Sequence, residues 1–154
     1  CHTRGRLPVL ADSAVAHLWQ TVLLDVRQVL PYGLYGYVTL PDHVHLLLAP
    51  LAGYAPEQIM QQAQSRFEAD YQVMMGLPDG APVWPSHQRI DRLPDAETFA
   101  AALDYIHYNP VHHGVAARPE EWPHSSYGAW VERNLYKLGW GWQTPRRINE
   151  KQWE

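Results

Sequence analysis

Residues 34–50 read LYGYVTLPDHVHLLLAP, two β-forming runs joined by Pro41 and Asp42. β-Branched and aromatic side chains favour pleated strands, and Pro-Asp favours a turn, so the stretch predicts a hairpin of 34–40 and 43–50. A lone hairpin is marginal in water and must bury a face against something else. The flanking sequence offers helices. Residues 12–30 carry Val15, Leu18, Trp19, Val22, Leu23, Val26 and Leu30 at spacings of three and four, with Asp12 or Ser13 to cap them, and Pro31–Gly33 stops the run. Pro56 opens a second helix over 57–75, with Ile59, Ala63, Phe67 and Met74 on one face, and Gly76 ends it.

Residues 77–82 predict a loop, and VWPSHQRI (83–90) predicts an edge strand, because Pro85 lacks the N–H that a central strand needs. Asp95 caps a third helix over 96–108, which Pro110 is expected to end, since the residue before a proline avoids helical geometry. SSYGAWVERN opens a short last helix. With a strand ahead of Arg4, the order becomes βαββαβ followed by a helix. That is the α+β, ferredoxin-like plan, an antiparallel sheet of four strands with helices on one face. The chain begins at Cys1 without Met, so the first strand is expected to be truncated. Residues 1–138 then form one domain and 139–154 an irregular tail.

Composition narrows the classes. The 154 residues are 46% hydrophobic and 18% charged, which fits a globular domain with a core. One cysteine excludes a disulfide within the chain and a cysteine-rich zinc site. No apolar run approaches a membrane span and no signal-peptide pattern is present, so the expectation is a cytoplasmic protein with no membrane partner. A net charge of −4 argues against a general polyanion binder. Its 12 basic residues are nevertheless mostly Arg, the better phosphate fork, with Arg4 and Arg6 near the start and Arg146, Arg147 and Lys151 near the end.

Two short motifs carry chemistry. On a strand, residues two apart face the same side, so His43 and His45 project together and can share a metal ion, or hydrogen-bond at a sheet edge. Asp42 either orients His43 or simply forms the turn. In LDYIHYNPVHHG (103–114), Tyr105 and Asn109 are four apart and share a helix face. A tyrosine hydroxyl can attack a phosphodiester that a cation polarises, with Asn109 completing the coordination. The same residues also read as a core aromatic and a helix C-cap.

YVTLPDHVHLLL, LDYIHYNPVHHG and EEWPHSSY, in this order, resemble the REP-associated tyrosine transposases, single-tyrosine members of the HUH (IS200-like) transposases. HUH denotes histidine, a bulky hydrophobe and histidine, here His43, Val44 and His45. The resemblance runs from RGRLPVLAD to SSYGAW, and the tail after about Leu138 matches nothing in it. It implies a ferredoxin-like nuclease and strand transferase acting on single-stranded or hairpin DNA, as a monomer or homodimer, with Mg²⁺ or Mn²⁺. It implies that His43, His45 and Asn109 are metal ligands and that Tyr105 is the nucleophile, forming a 5′-phosphotyrosine. Two other readings are a DNA-hairpin binder that has lost the chemistry, and a metal hydrolase of another class.

Candidate DNA contacts are Arg4, Arg6, His112 and His113. His112 departs from the Lys or Arg of many relatives, and 83–90 is a loose version of their basic, aromatic stretch. Tyr108, three residues from Tyr105 and about 300° round the helix, is near the site but expected to pack rather than serve as a second nucleophile, and His107, two residues on from Tyr105, is expected to face away and be structural. Trp122 is expected to lock its loop to the core. His2, His17, His87 and His124 are expected to be ordinary surface or capping residues.

Overall fold

The predicted hairpin forms. In the computed structural model, which describes residues 1–78, 80 and 82–148, β1 (Tyr32–Thr39) pairs with β2 (Val44–Pro50), and the Leu40 N–H donates to the His43 carbonyl (2.8 Å) across the turn. Four α-helices accompany it among the described residues: α1 (Ser13–Val29), α2 (Pro56–Met75), α3 (Ala96–His112) and α4 (Tyr127–Glu132). The architecture is therefore α+β. No helix among the described residues is long and apolar enough to cross a membrane. The described residues fall into two compact units, one within Cys1–Gly33, Thr39–Val44 and Leu48–Ile90, the other within Leu34–Val38, His45–Leu47 and the described residues from Asp91 on.

In the first unit, Asp12 caps α1 by accepting from the N–H groups of Ala14 (2.8 Å) and Val15 (3.4 Å). α1 and α2 pack through a fully buried Trp19–Phe67 edge-to-face pair, centroids 5.6 Å apart, and Trp84 closes on Trp19 at 5.1 Å. Gly76 takes the left-handed conformation (φ 63°) that ends α2, as its position in the sequence predicts.

The expected sheet of four strands is not formed. Among the described residues the named strands are two, and 83–90 is irregular. Glu68 explains part of this. Its Oε1 accepts from the N–H groups of both Val83 (2.7 Å) and Trp84 (3.0 Å), which a strand would have spent on a neighbour, and Pro85 offers no N–H at all. At the other expected strand, Gly5 (φ 64°) and Arg6 (φ 56°) turn the chain away after Arg4. What remains is a short series of backbone bonds. Cys1 and Val44 exchange both of theirs (3.0 and 2.8 Å), Thr3 N–H reaches the Asp42 carbonyl (2.8 Å), and Arg4 N–H reaches Val83 (2.7 Å).

In the second unit, Asp95 caps α3 through Thr98 N–H (2.7 Å). The expected stop at Pro110 is overturned, because α3 continues through it to His112. Proline costs a helix one hydrogen bond and a clash with the preceding turn. Here only Val111 and His112 follow, so the cost falls on the last turn alone, and burial of residues 102–110 offsets it. Gly36 of β1 lets α3 come close: a Cβ there would stand 2.7 Å from Leu103 Cδ1 of α3, which would have to move aside. Ser126 N–H donates to the Tyr37 carbonyl (2.9 Å), so the segment before α4 runs beside β1. After α4 the described chain is irregular, as expected, yet it is packed. Trp140 stacks on Tyr127 (5.7 Å), Trp142 Nε1 donates to Glu120 (2.8 Å), and Tyr108 and Thr144 hydroxyls meet at 3.1 Å. Lys151 lies outside the described residues.

Candidate metal and nucleic-acid site

His43 belongs to the first unit, where it is 2% exposed. Its Nδ1 lies 2.6 Å from Asp42 Oδ1. A carboxylate acceptor makes Nδ1 the protonated nitrogen, which places the imidazole lone pair on Nε2. Asp42 also serves the turn, since its carbonyl accepts from Thr3 N–H and from Thr3 Oγ1 (3.0 Å). Partial burial opposes ionisation of Asp42, but the hydrogen bond from His43 and the charges of His43 and Arg6 outweigh it and hold its carboxyl below the ordinary range. Arg6 Nη1 stands 3.6 Å from Asp42 Oδ2 and is otherwise exposed, and Arg4 is exposed as well.

His2 was expected at an ordinary surface, and the structure corrects this. Its backbone bridges to His43 and its ring lies 5.0 Å from the His43 ring. Burial pushes its pKa down to about 4.

The second unit holds His45, Tyr105, Asn109, His112 and His113. The Tyr105 ring is 2% exposed and meets the half-buried His45 ring edge-on, centroids 5.3 Å apart and planes 88° to each other. The His112 ring is 6.3 Å from that of Tyr105, and His113, exposed, lies 4.8 Å from His112. Asn109 is fully buried. It is not the C-cap, a role taken by His113, whose N–H donates to the Asn109 carbonyl (3.0 Å). Because α3 runs unbroken past Pro110, spacings of four and three keep Tyr105, Asn109 and His112 on one face.

Among the described residues, no group of three or more His, Cys, Asp or Glu side chains could hold a metal ion. Of the donors that the sequence suggests, the histidines offer imidazole nitrogens and Asn109 an amide oxygen. Two imidazoles and an amide oxygen suit a borderline-to-hard divalent ion, and a carboxylate behind one imidazole is the usual support for such a ligand.

The opposite face of α3 holds a network that the sequence does not announce. His107, fully buried, places Nε2 2.7 Å from Ser126 Oγ and Nδ1 3.0 Å from the Tyr136 hydroxyl. Tyr136 in turn donates to Asp104 Oδ1 (3.0 Å). Burial pushes His107 down to about 3 and raises Asp104 and Tyr136, the latter also through the Asp104 charge. His107 packs, as expected, and so does Tyr108. His124 does not sit at the surface: it is 7% exposed, with Trp122 edge-on at 5.8 Å. His17 and His87 are exposed, as expected. Only the serine pair in EEWPHSSY hinted at Ser126, and nothing hinted at Tyr136.

No family model matches the chain. It is 28% identical over 120 residues to a Haemophilus influenzae protein assigned to the REP-associated tyrosine transposases, covering 72% of this chain and 68% of that protein. It is 23% identical over 118 residues to the REP-associated tyrosine transposase of Escherichia coli, covering 77% and 68%. A solved structure of a REP-associated tyrosine transposase bound to a REP hairpin superposes with a TM-score of 0.78 at 20% identity, over 96% of this chain and 87% of that one, and so shares its fold. With sequence and fold agreeing, the chain is a homologue of the REP-associated tyrosine transposases.

Proposed function

We propose that the protein is a metal-dependent single-stranded DNA endonuclease and strand transferase acting at hairpin-forming repeats. The observation that carries this reading is the edge-on contact of Tyr105 with His45 at 5.3 Å, which sets the tyrosine of one motif against an imidazole of the other. His43, His45 and Asn109 would hold Mg²⁺ or Mn²⁺, which when bound polarises phosphate oxygens as a Lewis acid. Tyr105 supplies the nucleophile. Its oxygen forms a bond to phosphorus, the bond to the 3′ oxygen breaks, and that oxygen leaves as a hydroxyl with a proton, giving a 5′-phosphotyrosine. Another 3′-hydroxyl reverses the step, so strands rejoin without an external energy source. Arg4, Arg6, His112 and His113 contact the DNA, and residues 1–138 form the nuclease domain.

The ferredoxin-like plan underlies this reading. The bonds Val83–Arg4 and Thr3–Asp42, followed by the β2–β1 pairing, run in the lateral order that the plan requires, as remnants of its fourth and first strands.

A second reading, a hairpin binder without chemistry, draws on the burial of Tyr105, which is 2% exposed. One experiment separates them. The protein is incubated with single-stranded hairpin oligonucleotides and Mn²⁺, and denaturing gels are read for a covalent adduct. The expected outcome is an adduct with the wild type and none with Tyr105→Phe, which keeps the ring and the hairpin affinity. Binding without any wild-type adduct would favour the second reading. An adduct in Tyr105→Phe would assign the attack to another residue, and cleavage without an adduct would point to a hydrolase.

A further inference from the structure

Tyr136 lies outside every motif of the sequence, yet it binds α3 at two points. Its hydroxyl donates to Asp104 Oδ1 (3.0 Å) and accepts from His107 Nδ1 (3.0 Å). One proton per hydroxyl fixes the direction of the chain. Tyr136 spends its proton on Asp104, so His107 Nδ1 is the donor, and Nε2 accepts the Ser126 proton at 2.7 Å, the Tyr37 carbonyl standing farther off at 3.2 Å. Ser126 in turn accepts from Tyr37 N–H (2.9 Å) of β1. Asp104 and His107 are buried and three residues apart, so a single hydroxyl grips one full turn of the helix.

That turn is the one that carries Tyr105. At about 100° per residue, His107 lies on the side of α3 opposite Tyr105, Asn109 and His112, and Asp104 lies about 100° round the helix from Tyr105. Gripping two points on one side fixes both the axial position and the rotation of the other. The ring of Tyr136 is held separately, against Trp140 (4.2 Å) and Tyr127 (5.4 Å). The hydroxyl can thus be removed while the packing stays.

We propose that Tyr136 is a positioning residue, which through its shared hydrogen bonds to Asp104 and His107 sets the rotation of α3 and with it the aim of Tyr105. This rests on Tyr105 being the nucleophile. Misplacing a reacting group by about 1 Å costs roughly a hundredfold in rate, so a small rotation is enough to matter.

The test is Tyr136→Phe in the full chain, assayed for single-turnover adduct formation with a hairpin oligonucleotide and Mn²⁺, for hairpin affinity without metal, and for thermal melting. The expected result is a rate at least about tenfold lower with affinity within about twofold of wild type. Asp104→Ala should show the same split, and Asp104→Asn, which keeps an oxygen to accept from Tyr136, should recover most of the lost rate. A Tyr136→Phe protein as fast as wild type overturns the proposal. So does a parallel collapse of rate, affinity and melting temperature, which would make Tyr136 part of the scaffold only. A wild type that forms no adduct sinks the nucleophile reading and this inference with it, whereas an active wild type with an equally active Tyr136→Phe sinks this inference alone.

Discussion

His43 and His107 are both buried imidazoles, 2% and 0% exposed, and both sit in a hairpin or helix that the sequence predicts. Their partners differ. His43 has a carboxylate on Nδ1, at 2.6 Å, so its lone pair is directed to Nε2 and any positive charge it acquires is met by Asp42. His107 meets hydroxyls at both nitrogens and no charge in contact, so burial dominates and its pKa falls to about 3. The first arrangement is the support a metal-bound imidazole usually has, as the proposed function requires of His43, and the second engages both nitrogens of His107 in a structural tie. The identity of the neighbouring oxygen, more than burial, separates the two roles.

The largest expected effect is at the first of the pair. His43→Ala should abolish metal-dependent adduct formation while hairpin binding persists, measured on denaturing gels and by gel shift without metal. Full activity in this variant would remove the distinction between the two histidines. His107→Ala should act on stability instead. It deletes two hydrogen bonds and leaves a cavity, together about 3 kcal/mol. For a chain of this size that is a melting shift of roughly 10 °C, read by calorimetry. A shift within a degree or two would mean that Ser126 and Tyr136 rebond without it.

How much of this contrast the sequence could carry follows from the distances involved. The HxH pair, its turn and Asp42 lie within a few consecutive residues, so the alternation of a strand and the chemistry of a Pro-Asp turn make them legible. Tyr105 and Asn109 are likewise linked by helix periodicity alone. The partners of His107 are 19 and 29 residues away, and no local pattern specifies which hydroxyl will meet which nitrogen. The same reason explains why the strand predicted at 83–90 does not form. The Glu68 carboxylate that takes its N–H groups comes from α2, 15 residues earlier, and overrides a β-prone composition. The misplaced end of α3 is different in kind. Pro110 does weaken the helix, but its place two residues from the end makes the loss small enough for packing to absorb. The burial of His2 and His124 is not legible in the sequence, because a histidine carries no burial signal of its own.

The smallest effect is the most discriminating. Asp42→Asn keeps the size of the side chain and an oxygen that can accept from His43 Nδ1, so the fold and the tautomer should survive. What disappears is the negative charge behind the imidazole. If His43 is a ligand, that charge makes its lone pair more basic and stabilises the positive charge an ion brings, so Mn²⁺ affinity should fall by about 10- to 100-fold while the melting temperature hardly moves. Isothermal titration with Mn²⁺ alone reads this without any cleavage assay. If His43 is instead a second structural histidine like His107, the hydrogen bond is all that matters, and the Asp42→Asn protein should bind Mn²⁺ no differently from wild type. The Arg6 guanidinium, 3.6 Å from the same carboxylate, sharpens the reading, because losing the carboxylate also frees Arg6 for phosphate. Hairpin affinity in Asp42→Asn should therefore hold or rise slightly as metal affinity falls, an opposition that a loss of fold cannot produce.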